Sequence, residues 1–380
     1  MRINDFLLER YFARWEFAAP YNLCASDVEG LRMADLLDLA DDECQKLWRT
    51  LPLGYTEAPG HPLLRAEIAS LYRDLEAEDV YTFAGAEEAI FTAMHALLAP
   101  GDHVVAIWPA YQALYEVARS IGADVTLLEL RERDAWRLDL DAFAAAIRPG
   151  RTRLVVVNWP HSPTGSLPDR AVFEEVARTS AEAGAILFSD EVYRLLEHDP
   201  ADRLPAGAEM PGGVSLGVMS KAFGLAGLRI GWLATPDRQM LARCARVKDY
   251  TTICSSAPSE VLALIGLRAR ETLVRRALEL VVPNRDHVDA FLPEHDLSWV
   301  RPRGGSTGYV RLPDVLPSAE AVCSELSRTE GVLLLPSTVF EHNDRHVRVG
   351  LARSGITDNL DRLARFLDSG GGHLPGTKGC

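Results

Sequence analysis

Lysine is scarce in this sequence. Among 380 residues it occurs only at positions 46, 221, 248 and 378, so chemistry that needs a primary amine has few candidates. The six cysteines (24, 44, 244, 254, 323 and 380) form no CxxC pair and no metal-ligand spacing. That excludes a disulfide-stapled or zinc-ribbon chain, leaves no expected metal, and fits a reducing cytoplasm. No apolar run approaches the roughly 18–20 residues that span a bilayer. The first residues, Met1 to Tyr11, carry charge in every turn, which excludes a secretory signal. Positive charge is also short: 40 Lys and Arg against 54 Asp and Glu give a net charge of −14, with no basic patch. Such an anion is repelled by phosphate backbones, so neither nucleic acid nor membrane is expected as a partner. There is no internal repeat. Low complexity is confined to residues 369–380, a Gly-rich tail expected to be disordered.

The remaining chain has the 47% hydrophobic and 25% charged residues of an ordinary globular protein. From about 62 to 235, near-continuous apolar runs (80–85, 103–108, 125–130, 154–158, 185–189, 214–219) alternate with helical patterns. This predicts an α/β fold: a mostly parallel sheet with helices on both faces. A long helix is expected over 259–281. Beyond about 275, short strands at 298–300, 307–312, 332–335 and 346–350, with helices at 318–330 and 357–367, predict a smaller α+β domain. The expected organisation is an arm, 1–45, packing with the small domain; a large domain, 46–275; and a small domain, 276–368.

Ligands of such sheets bind beyond the carboxyl ends of the strands, so the loops there are searched for chemistry. Ser220-Lys221-Ala-Phe-Gly-Leu-Ala-Gly-Leu-Arg229 places an amine and a guanidinium in a Gly-rich loop after a strand. A lysine in a partly dry pocket can become a nucleophilic amine, and a nearby arginine can hold a phosphate. Asp190-Glu-Val-Tyr193 ends another strand; a buried aspartate there can pair with a protonated ring nitrogen, and the tyrosine can offer its hydroxyl to a ring oxygen. Gly85-Ala86-Glu87 joins a strand to a helix and offers free amides to an anion. Trp108-Pro-Ala-Tyr111 sets an aromatic ring where a flat ligand can stack. Asn158-Trp-Pro-His-Ser162-Pro-Thr-Gly165 is a Pro-fixed turn after a strand. Taken singly, each has a plain structural reading, as a surface charge, a helix cap, a turn or a core aromatic.

As an ordered set, these motifs resemble the fold-type I pyridoxal-phosphate (PLP) enzymes of the class I/II aminotransferase family, from Leu53-Gly-Tyr-Thr to Arg348-Val-Gly-Leu-Ala-Arg353. The resemblance implies that Lys221 holds pyridoxal 5'-phosphate as an imine and moves the proton between substrate Cα and cofactor. It implies that Asp190 keeps the pyridine nitrogen protonated, Tyr193 bonds the phenolic oxygen and Tyr111 stacks on the ring. Gly85, the amides of Ala86 and Glu87, Ser220 and Arg229 would hold the phosphate. Tyr55 would reach the phosphate of the other subunit of a homodimer with shared active sites. Arg348 would pair with the substrate α-carboxylate, with Asn158 beside it. Tyr21, Asn22 and Trp159 are candidate specificity positions. Two positions depart from the family pattern: Ser162 stands where an asparagine is usual, and Val218 where a phosphate-binding serine is common.

The implied substrates are an amino acid and a keto acid, and the implied reaction is transamination. The alternatives are β-elimination (a cysteine S-conjugate lyase, for example), a cyclising or oxidising reaction similar to that of the capreomycidine synthases, and a non-catalytic PLP-fold sensor. The acidic charge and the lack of room for a DNA-binding domain weigh against the last. The amphipathic start, Asp5 to Phe17, is similar to that of the capreomycidine synthases; from its residues alone it reads as a docking helix at a subunit interface.

Overall fold

A computed structural model describes residues 2–369. Met1 and positions 370–380, with nearly all of the expected tail, lie outside the described residues. The large domain is built on seven strands: β1 (Val80–Phe83), β2 (His103–Trp108), β3 (Asp124–Glu129), β4 (Thr152–Asn158), β5 (Ile186–Asp190), β6 (Gly213–Val218) and β7 (Gly231–Ala234). Their order is β1-β7-β6-β5-β4-β2-β3. All neighbours run parallel except β7, which is antiparallel to both β1 and β6. The central strands are mostly apolar and almost wholly buried because helices cover both faces. The parallel strands all deliver their carboxyl ends to one edge. Asn158 and Asp190 are register partners there, at the ends of β4 and β5, and Val218 ends β6 beside them.

β7 is not read from the sequence as a strand, because Arg229-Ile-Gly-Trp232 looks like more of the lysine loop. In the structure the loop closes back and Gly231 pairs with Val218. The long helix also differs from expectation. It breaks at Ala269 into Ala257–Arg268 and Arg270–Glu294, and the second helix runs through Pro283 in its middle and Pro293 in its last turn. An internal proline costs about 3 kcal/mol. Leu273, Ala277, Val281, Val288 and Leu292 bury one face of that helix, at up to roughly 1.5–3 kcal/mol each for the larger side chains, which outweighs the proline.

The small domain carries a four-stranded antiparallel sheet in the order Leu335–Pro336, His346–Gly350, Thr307–Arg311, Ser298–Trp299. The N-terminal 45 residues divide their contacts. Tyr21–Asn22 pair with Val332–Leu333 of the small domain. Helix α1 (Leu7–Trp15) donates from the Tyr11 hydroxyl to Leu334 O, yet Asn4 and Leu7 donate backbone bonds to Glu116 and Gln112 of the large domain. Helices Met33–Leu37 and Asp42–Arg49 lie on Ala257–Arg268, where Arg268 bridges Asp41 and Glu43. No described helix is long and apolar enough to cross a membrane.

Candidate active site

One cavity of about 370 Å³ lies at the carboxyl edge of the sheet, between large domain, small domain and α1. A larger but more open groove elsewhere, about 800 Å³, is lined by Arg–Glu pairs and two histidines and holds none of the predicted residues. Helix α2 (Ala86–Leu97) points its N-terminus into the first cavity. It starts at Gly85, whose φ of +88° suits glycine. A Cβ on Gly85 would sit 2.6 Å from Arg229 Nη2, so this glycine lets the guanidinium close over the free amides of Ala86 and Glu87. Ser220 and Arg229 line the same end, and together these groups form an anion cradle.

Lys221 is half-buried and enters the cavity from the loop after β6. Its Nζ donates to Ser26 Oγ at 2.8 Å and lies 5.7 Å from the Tyr193 ring centre. Asp190, 3% exposed, ends β5. Its Oδ1 accepts from Val192 N at 3.1 Å. Burial pushes its pKa up to about 7, against the pull of that hydrogen bond and of the Lys221 charge. A carboxyl so placed is poor company for itself and good company for a cation. Asn158 spans the turn, donating to Asp190 O at 3.1 Å and accepting from Ser162 N at 2.8 Å. Tyr111 lines one wall, its ring 4.9 Å from Phe6. Beside it, burial raises Glu87 to about 7, and its Oε2 is buried without a partner.

Arg348 comes from the small domain, on the strand between Tyr309 and Leu335. It is 3% exposed. Nε and Nη2 both donate to Cys24 O, at 3.1 and 2.8 Å, and Nη1 has no hydrogen-bond partner among the described residues.

Lys221, Asp190, Tyr193, Tyr111, Gly85, Ala86, Glu87, Asn158, Ser162, Ser220, Arg229 and Arg348 are thus gathered at one site. Four predicted positions are not. Tyr21 is held away by its strand pairing, with the Arg362 guanidinium 3.6 Å over its ring. Asn22 turns its Oδ1 back to Cys24 N. Trp159 faces Phe173 in the core beneath the sheet edge. The side chain of Tyr55 is 90% exposed, outside the cavity of its own chain. Sequence reasoning missed Ser26 and the inward face of α1, namely Leu8, Glu9, Phe12 and Glu16. The amphipathic pattern of α1 was the available signal, and it does not tell an active-site lid from a subunit contact.

The buried carboxyl has a measurable consequence. The native Asp190 keeps its proton to a higher pH than the unfolded one, so folding takes up a proton. Stability of the cofactor-free chain should fall as pH rises from about 4 to about 7, by roughly 4 kcal/mol from this group. Asp190→Asn removes that contribution. Thermal unfolding at pH 5 and pH 8 should show a loss of Tm several degrees larger in the wild type than in the variant; equal losses would contradict the assigned burial.

Comparison with known proteins points the same way. The aminotransferase class I and II family model matches residues 21–367. The chain is 32% identical to capreomycidine synthase of Streptomyces vinaceus, over 99% of this chain and 95% of that protein. A PLP-dependent aminotransferase from Streptococcus suis superposes with a TM-score of 0.91 at 29% identity, covering 97% of this chain and 99% of that one. The PLP-dependent cyclase OrfR superposes with a TM-score of 0.89 at 27% identity, covering 97% and 98%.

Proposed function

The chain belongs to the class I and II aminotransferase family, and on that premise we propose that it moves the amino group of an L-amino acid to a keto-acid acceptor, with Lys221 as the catalytic amine. Its cofactor is pyridoxal 5'-phosphate. When bound, this group supplies an electron sink that makes the substrate Cα–H acidic. The residues present fit it. The glycine-opened cradle at α2 suits a phosphate, and the buried Asp190 carboxyl, with only Oδ1 hydrogen-bonded, suits a pyridinium nitrogen. The single observation that carries the reading is that this carboxyl and the Lys221 amine share one cavity.

In this reading Ala86, Glu87, Ser220 and Arg229 would bind the phosphate. Asp190 would keep a proton on the ring nitrogen, Tyr193 and Ser162 would serve the phenolic oxygen, and Tyr111 would pack on the ring. Lys221 Nζ takes the proton from Cα and returns it, a role for which its hydrogen bond to Ser26 holds it in place. Arg348 offers its free Nη1 to the α-carboxylate, steadied by its two bonds to Cys24 O. Tyr55, exposed on its own subunit, serves the phosphate of a second copy in a homodimer.

A second reading has specific support. The usual asparagine is replaced by Ser162, a shorter donor, and the similarity to capreomycidine synthase covers almost the whole chain. Both favour a cyclising or oxidising outcome after the same Cα deprotonation. A panel of amino acids decides between the readings. Holoenzyme is incubated with each, with and without a 2-oxo acid, while ammonia and keto-acid release are followed. Transamination predicts turnover only with the acceptor and no ammonia. Ammonia released without an acceptor would overturn it in favour of elimination or oxidation, and a cyclic amino-acid product would overturn it in favour of cyclisation.

A further inference from the structure

Of the described lysines only Lys248 is wholly buried, and the roles above leave it unused. It ends the helix Arg238–Lys248, with its Nζ 5.1 and 5.5 Å from the ring centres of Tyr81 and Phe83. An ammonium taken out of water costs several kcal/mol unless its protons find acceptors. Burial lowers its pKa, against the pull of the Glu88 and Glu260 charges. Its acceptors are two backbone carbonyls, Ala58 O at 2.8 Å and Thr82 O at 2.9 Å. One buried charge therefore joins two distant segments of chain.

The first segment, 56–61, follows Tyr55 directly. Residues 51–61 form neither helix nor strand, so no hydrogen-bond ladder holds them. Buried polar groups do so instead. Glu260, also buried, accepts from Thr56 Oγ1 at 2.8 Å and from His61 N at 3.3 Å. It accepts from Thr82 Oγ1 at 3.3 Å, and Thr82 N donates to Pro59 O at 2.9 Å. Gly60, at φ +111°, lets the segment lie close: a Cβ there would sit 2.4 Å from Thr82 Oγ1. The second segment, β1, is anchored independently, since all four of its residues pair with β7. Lys248 and Glu260 thus dock a loop onto a strand that is already fixed. Above this anchorage the loop presents Leu53 and Tyr55 to solvent, 88% and 90% exposed. A tip that is apolar outside and tied down by buried charge beneath is suited to meet another surface in a preset position.

We propose that Lys248 is a positioning residue acting across the subunit boundary: with Glu260 it fixes segment 56–61 so that Tyr55 is preset for the cofactor phosphate of a second copy. The proposal rests on the reading of the cavity as a PLP site whose phosphate Tyr55 serves from the other subunit. Without the lysine, the loop keeps freedom that it must lose when Tyr55 meets the phosphate. Its removal therefore weakens the phosphate site of the partner subunit and spares the cavity of its own.

The test titrates the full chain, stripped of cofactor, with PLP and with pyridoxal, which lacks the phosphate, following absorbance. Lys248→Met keeps the side-chain length and removes the charge. Its PLP affinity should fall about tenfold, the size of losing one hydrogen bond to a charged group, with pyridoxal affinity unchanged. Tyr55→Phe should show the same pattern, and the double variant should lose no more than Tyr55→Phe does alone. In mixed dimers of Lys248→Met with Lys221→Ala, the borohydride-stable label on Lys221 should form with wild-type PLP affinity, because the Tyr55 serving that site comes from the subunit with an intact Lys248. Should Lys248→Met not fold, Thr56→Val carries the same comparison; it cuts the bond to Glu260 at the half-exposed edge of the cluster and should lose about threefold for PLP alone. Unchanged PLP affinity, equal losses for PLP and pyridoxal, losses that add to those of Tyr55→Phe, or no recovery in the mixed dimer would overturn the proposal and leave the PLP site standing. Full PLP affinity in Tyr55→Phe would remove the reading of Tyr55, and the role of Lys248 with it.

Discussion

Replacing Lys221 with alanine should leave a folded protein that still binds PLP and turns over at least about 10⁴-fold more slowly. The magnitude is that of losing both the covalent amine and the acid–base group at the reacting carbon. No other described lysine can take over. Lys46 is exposed on helix Asp42–Arg49. Lys248 is fully buried, with its Nζ donating to Ala58 O and Thr82 O at 2.8 and 2.9 Å. Retained cofactor affinity is expected because the cradle at α2 and the Asp190 carboxyl are untouched. Steady-state kinetics and a cofactor titration check both parts. A variant that keeps near-wild-type turnover would remove Lys221 from the chemistry.

Asp190→Asn is expected to have the next largest effect. An ion pair at about 4 Å in a medium of effective dielectric near 20 is worth about 4 kcal/mol, or roughly a thousandfold. The amide keeps the shape and loses the charge that would hold a proton on the ring nitrogen. Turnover should therefore fall by about 10²–10³, and the cofactor should bind more weakly. Asp190→Glu restores the charge but not the position, since Val192 N fixes the shorter carboxyl; it should recover only part of the loss. Equal activity in wild type and Asp190→Asn would show that the carboxyl does not face the ring.

Much of this was legible in the sequence, for identifiable reasons. The parallel strands declare themselves because burial on both faces makes them apolar runs, and their loops could be searched in order. The motifs around Lys221 and Asp190 carry short-range chemistry, so their residues stayed together on folding. What failed depended on long-range placement. Tyr21 and Asn22 sit near the chain's start, and nothing local says that their strand pairs with Val332–Leu333 and turns them from the cavity. Trp159 follows Asn158 directly, but the chain there sends alternate side chains to opposite sides, so one lines the site and the next the core. The inward face of α1 was visible as a pattern, without any sign of what it covers. β7 was hidden by glycines that suit a loop as well as a strand.

The account depends most on which amine meets the cofactor. Borohydride reduction of the holoenzyme, followed by proteolysis and mass spectrometry, reads this directly. The account predicts one pyridoxyl-labelled peptide, carrying the label on Lys221. A label on Lys46, Lys248 or Lys378, or no label on a protein that contains PLP, would contradict it.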